Sequence, residues 1–210
     1  MDYWQKLEYE GYYHIYNKTV SGIKLFKDKN DYETFLTKFN EYLGIYIEVY
    51  AYVLMPNHFH FLIKVKNEQT ILEVSIKEQT KKSTELSKCE IHINDFIVDQ
   101  FRRWLSSYSI IYKNKYNHDG SIFMRRFKRI ESVGLNRNIY WLTYIHHNPI
   151  HHHFCENYTD WIYSSYNAYL SLHATKLCKK EVLNEWFSSK EDFHMYHEEF
   201  KFDKKSDIED

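Results

Sequence analysis

The chain has 210 residues, 43% hydrophobic and 27% charged, which suits one domain plus an extension, or a single larger domain, and excludes wholesale disorder. With 28 basic and 29 acidic residues the net charge is −1, so no global positive field marks a nucleic-acid binder, and any such contact must use a local basic patch. No apolar run approaches the roughly 18 residues of a membrane span, Met1–Tyr9 lacks a signal-peptide core, and Cys89, Cys155 and Cys178 form no paired framework, so a cytoplasmic protein is expected.

Aromatics reach 19%, with 20 tyrosines. Their first use is to fill the core and half-buried positions, and their second is to offer faces to unpaired bases. Tyr12–Val20, bounded by Gly11 and Gly22, reads as a strand. A helix follows, with Asn30 as its cap, Glu33 completing a capping box, and Tyr32, Phe35, Leu36, Phe39 and Leu43 on one face. Gly44 is its stop. Ile45–Leu54 alternates as a strand with one core face, Met55-Pro56-Asn57 is a tight turn, and His58–Val65 returns as a second strand. On that strand Phe59, Phe61, Ile63 and Val65 point to a core, while His58, His60, Leu62 and Lys64 point the other way.

Lys66–Cys89 is polar, with Lys77, Lys81 and Lys82 close together, and carries an amphipathic helix. A stronger helix starts near Asp95 with an apolar stripe from Ile97 through Phe101, Trp104, Leu105, Tyr108 and Ile111 to Tyr112. Asp119-Gly120 is a turn, and Ser121–Val133 is expected as a strand carrying Arg125, Arg126, Lys128 and Arg129. Strand alternation puts Arg126 and Lys128 on one face and Arg125 and Arg129 on the other. Asn136 or Asn138 opens a helix to about His147, which Pro149 ends. Further helices are expected after Tyr163, at Val182–Phe187 and at Phe193–Phe200, before a frayed Asp203–Asp210. This order gives an α+β, ferredoxin-like sandwich with helices on one face of an antiparallel sheet. Residues 1–170 are expected to form the main domain and residues 171–210 a C-terminal helical extension.

Two short patterns carry chemistry. His58 and His60 leave the same face of a strand and form a plausible metal pair, against the plainer reading of two surface histidines near a turn. Tyr144 and Asn148 share a helix face, with Tyr140 one turn earlier, and Asn148 offers an amide oxygen. His146, His147, His151, His152 and His153 crowd the same helix end, where the C-terminal dipole tolerates histidine.

Together these patterns resemble the HUH single-tyrosine transposases, particularly relatives associated with repeated palindromic elements in bacterial genomes. Tyr52-Val53-Leu54-Met55-Pro56-Asn57-His58-Phe59-His60-Phe61-Leu62-Ile63 looks like the family's signature strand-turn-strand, and Tyr144-Ile145-His146-His147-Asn148-Pro149 looks like its nucleophile helix. Gly120 to Lys128 resembles the strand before that helix, and the likeness runs from about Tyr12 to Tyr169. The resemblance implies a divalent ion, Mg²⁺ or Mn²⁺, held by His58, His60 and Asn148. It implies Tyr144 as nucleophile, forming a covalent 5′-phosphotyrosine with a free 3′-hydroxyl, and single-stranded DNA with a hairpin as partner. Arg125, Arg126, Lys128 and Arg129 are the expected phosphate contacts. Relatives occur as monomers and dimers, so a homodimer is open. Two other classes stand beside this one. A non-catalytic single-strand binding module would not need His58, His60, Tyr144 and Asn148 together, and a small phosphate-ester hydrolase would want a carboxylate-rich two-metal site that the chain does not supply.

Overall fold

The protein is described here from a computed structural model covering residues 3–78, 80–88, 91–170, 177–179 and 181–200. Cys89 and the Asp203–Asp210 tail lie outside the described residues, as does the side chain of Lys82. β1 (Tyr12–Lys18) leads through a 3₁₀ turn at Val20–Gly22 into α1 (Lys29–Leu43). β2 (Ile47–Met55) and β3 (His58–Val65) form a hairpin over Pro56-Asn57, where proline costs no ladder bond. Then come α2 (Glu68–Glu78), α3 (Lys81–Ser87), the long α4 (Ile93–Tyr116), β4 (Lys128–Ser132) and α5 (Leu135–His151). Three short helices close the described chain: α6 (Tyr166–Tyr169), α7 (Val182–Trp186) and α8 (Lys190–Glu198).

The four strands pair antiparallel in the order β2-β3-β1-β4, the arrangement of the expected α+β, ferredoxin-like sandwich. Phe59 and Phe61 of β3 meet Phe35 and Phe39 of α1 and Trp104 of α4, and Phe39 stacks on Phe61 at 4.4 Å. The Trp104 indole N–H donates to the Phe35 carbonyl at 3.1 Å and ties the two helices together.

Helices are not confined to one face, as the sequence led us to expect. α5 covers the opposite face, with Trp141, Leu142 and Ile145 fully buried and Trp141 against His14 at 4.3 Å. The alternating pattern on β3 marks one apolar face, but the other face is buried too, beneath a helix that arrives from far along the chain. His58 and His60 therefore line an interior, not a surface. Chain segments also cover both sheet edges. Tyr3 and Gln5 bond to Arg129 of β4, and the 163–165 segment bonds to Tyr52 and Leu54 of β2.

Several boundaries moved for local reasons. α1 is capped by Asp28, whose side chain accepts from Asp31 N–H in a reciprocal capping box, not by Asn30 with Glu33. Ile45 lies outside β2 and is exposed. The polar 66–88 stretch holds two helices, because Thr80 caps a second one at Ser83 N–H. α5 opens at Leu135 because Gly134, at φ 84° and ψ 157°, holds a conformation open essentially to glycine alone. Nor does Pro149 end α5, which continues to His151. A proline in the last turn removes one backbone bond only, and the stop is His153 at φ 58°, with Phe154 N–H closing back on the Pro149 carbonyl at 2.8 Å.

The expected strand over Ser121–Val133 is reduced to β4. Met124 N–H still bonds the Lys18 carbonyl, but the next aligned pair is Tyr16 with Lys128. Two steps along β1 therefore face four along the other chain, and the surplus bulges out at Arg125 and Arg126, both exposed. Strand alternation applies only from Phe127 onward. No helix among the described residues is long and apolar enough to cross a membrane.

Candidate functional site

His58 and His60 lie two apart on β3, beneath α5. Their rings meet edge to face at 5.2 Å, and both are buried, His60 completely. His58 Nδ1 lies 2.8 Å from the Asn57 side-chain oxygen, which can only accept. That bond places the proton on Nδ1 and turns Nε2 into the lone-pair nitrogen. His60 Nδ1 lies 2.9 Å from His14 Nε2, and His14, Tyr16 and His60 stack at centroid distances of 5.0–5.3 Å. His14 was not singled out from sequence. The antiparallel register that sets Tyr16 opposite His60 brings His14 diagonally across from it, and only the strand pairing reveals this.

Tyr144 descends from α5 onto this cluster. Its ring is 6.0 Å from His60 and 5.6 Å from His14, both edge to face, and it is 1% exposed. Tyr140 stacks on it at 6.2 Å one turn earlier, and the Arg137 guanidinium lies over the Tyr140 and Trp141 rings at 4.6 and 4.5 Å. One turn later, Asn148 Nδ2 donates to the Tyr144 carbonyl at 3.1 Å. Its Oδ1 is buried and accepts no hydrogen bond from the described residues. His152, the C-cap of α5, sits 5.1 Å from His58.

These side chains suit a small divalent cation. They offer two imidazoles on one strand face, each with its Nδ1 engaged in a hydrogen bond, and a buried amide oxygen on the helix above. Among the described residues no cluster of three or more His, Cys, Asp or Glu is arranged to hold a metal.

Two other histidines of α5, His146 and His147, are engaged elsewhere. His146 Nδ1 lies 2.9 Å from His197 Nε2 of α8, and His146 Nε2 lies 2.7 Å from Ser165 Oγ. Burial holds both rings neutral: it pushes His197 down to about 3 and His146 well below the usual histidine range. His147 bonds the Tyr158 hydroxyl at 2.9 Å, and burial lowers it too.

The four expected DNA contacts divide. Lys128 lies over Tyr3 and Tyr16 at 4.7 and 5.0 Å, beside the histidine cluster. Arg129 lies over Phe127 at 5.3 Å and bonds the Trp4 carbonyl, while Arg125 and Arg126 stand out on the bulge. Lys77 and Lys81 are solvent-exposed, and Lys81 sits 3.9 Å from Glu85.

No protein-family model and no curated protein matches this sequence. A solved structure does: the REP-associated tyrosine transposase bound to a REP hairpin aligns at TM-score 0.60, over 85% of this chain and 97% of that chain, with 12% of residues identical. The two chains share a fold. At this identity the likeness is one of backbone architecture, and it spans nearly the whole transposase chain.

Proposed function

We propose that the protein cuts and joins single-stranded DNA carrying a hairpin, with Tyr144 as nucleophile. The observation that supports this best is the approach of Tyr144, on α5, to His60, on β3, at 6.0 Å, with Asn148 one helical turn on. The transposase fold, solved in one case with a hairpin bound, supports the same reading.

In this reading His58, His60 and Asn148 would hold a divalent cation, Mg²⁺ or Mn²⁺, which when bound polarises the scissile phosphate and offsets charge in the transition state. The Tyr144 oxygen attacks phosphorus in line. The new phosphorus–oxygen bond forms as the bond to the 3′-oxygen breaks, the phenol proton is lost, and the leaving oxygen takes one up as a 3′-hydroxyl. Because a phosphotyrosine conserves the energy of the phosphodiester, another 3′-hydroxyl can reverse the step and join strands without a nucleotide cofactor. Asn57 acts as a positioning residue by fixing the tautomer of His58, and His14 by holding the His60 ring in place. Lys128 and the bulged arginines serve the phosphates. Residues 1–170 carry the chemistry, and the described helices α7 and α8 fall in the extension that follows.

The test is a denaturing gel of the protein with labelled hairpin DNA, with Mg²⁺, Mn²⁺ or EDTA. Label shifting onto the protein only with metal, and not in Tyr144→Phe, supports the reading. Tight binding on a native gel with no covalent product under any condition would instead make the protein a non-catalytic single-strand binder.

A further inference from the structure

We propose that Trp4 is a stacking platform for one unpaired base, set in a cationic cleft at the β4 edge that leads the DNA strand towards the histidine cluster. This rests on the single-strand reading above and adds a binding site outside the set of residues proposed for catalysis.

Two adjoining cavities, of about 640 and 460 Å³, share Trp4, Asn17, Met124, Arg125 and Arg126 in their walls. The smaller one reaches Tyr16 and Lys128, and Tyr16 stacks directly on His60. The larger one continues on the other side of the bulge, along α4. In a chain of net charge −1, the described lining of the larger cavity gathers Arg102, Lys113, Arg125, Arg126 and Arg129 against one acid, Asp95. The smaller has Lys18, Arg125, Arg126 and Lys128, with no acid among its described lining residues. Such a concentration matches a polyanion.

Charge alone would suit any phosphate. Trp4 and Met124 narrow the choice: they are 47% and 46% exposed, large apolar surfaces set among cations. Trp4 is also held in place. Arg129 N–H donates to the Tyr3 carbonyl at 2.7 Å, Gln5 N–H donates to the Arg129 carbonyl, and the Arg129 guanidinium donates to the Trp4 carbonyl at 3.1 Å. The segment thus makes a single parallel bridge to β4, with the Arg126 guanidinium 5.8 Å from the Trp4 ring centre. An exposed indole on a pinned backbone beside arginines is the arrangement that recognises a nucleobase with its own phosphates. A duplex keeps its bases stacked on each other, so the occupant is an unpaired nucleotide.

The experiment measures binding of a fluorescent DNA hairpin with an oligothymidine flank by anisotropy, in EDTA so that no strand is cut. Full-length wild type, Trp4→Ala and Trp4→Phe are compared on the flanked hairpin and on a blunt hairpin. Loss of one stacked base weakens binding roughly 5- to 100-fold, so Trp4→Ala loses that factor on the flanked hairpin alone, and Trp4→Phe keeps most of the affinity. A series with one abasic site moved along the flank needs no variant. Wild type loses the same factor at one position, and Trp4→Ala is insensitive there. Equal affinity of Trp4→Ala and wild type, a loss that extends to the blunt hairpin, or indifference of wild type to every abasic position overturns the proposal and leaves the single-strand reading standing. Failure of wild type to bind any flanked hairpin overturns both.

Discussion

His146 Nδ1 and His197 Nε2 lie 2.9 Å apart in a fully buried contact between α5 and α8. His197 Nδ1–H donates to the Phe193 carbonyl at 2.7 Å, so its Nε2 must accept, and His146 must donate from Nδ1 and accept at Nε2 from Ser165. The helix bearing Tyr144 is thereby tied to the far end of the described chain. His197→Ala leaves a buried donor on His146 without an acceptor and opens a cavity. We expect a loss of roughly 2–4 kcal/mol in urea unfolding. A midpoint within error of wild type would show that the contact contributes nothing.

The same pair sets a direction for pH. An unfolded histidine titrates near 6.5, whereas burial holds His197 at about 3 and lowers His146 as well. Between those values the unfolded chain binds more protons than the folded one. The stability is therefore present above about 6.5 and is lost as pH falls through the window towards about 3. Urea midpoints followed downwards from neutral pH should fall, and a flat profile across the window would contradict the assignment of both rings as neutral.

Tyr144→Phe removes one hydroxyl and keeps the ring that packs against His14, His60 and Trp141. The variant should melt within a few degrees of wild type, bind hairpin DNA with unchanged affinity, and form no covalent adduct. Mass spectrometry of a trapped peptide locates the attachment. Adduct on Tyr140, which stacks on Tyr144, would transfer the role one turn back along α5.

Cation binding is measurable without DNA. Titration calorimetry with Mn²⁺ should show one site, abolished by His60→Ala. His14→Phe leaves the proposed ligands in place and removes only the partner of His60 Nδ1, so affinity should drop about 10- to 100-fold. Heat release unchanged by His60→Ala would place the ion elsewhere.

Arg126 and Lys128 should act through phosphates and not through sequence. Replacing either with alanine should weaken binding to all hairpins alike and reduce the slope of log affinity against log salt by about 1. A change in which hairpin is preferred, at constant slope, would mean base contacts instead.

Local features were legible in the sequence to the extent that local physics fixed them. The β3 boundaries follow from alternation and the Pro56-Asn57 turn, and the apolar stripe of α4 is buried almost as its spacing predicts, with Ile111 half-buried. The pairings His58 with His60 and Tyr144 with Asn148 needed only strand and helix periods. What the sequence withheld was long-range. Nothing near β3 says that α5 will lie over its histidines, and nothing near Tyr16 says that His14 will bond His60. Trp4 and His197 come from opposite ends of the described chain, and neither stands in a motif. The misjudged end of α5 has a different cause: the rule that proline breaks helices is weak in a last turn, where few backbone bonds remain to break.

The burial of α5 over its own sheet bears on how two copies could cooperate. Trp141, Leu142 and Ile145 are wholly excluded from water. Re-solvating three such side chains costs roughly 5–9 kcal/mol. Swapping α5 into a neighbouring molecule would have to cross that barrier in every cycle. On the proposed reading, both broken ends must instead be brought in turn to one stationary centre, and the pace of joining is set by how quickly the DNA can rearrange around it.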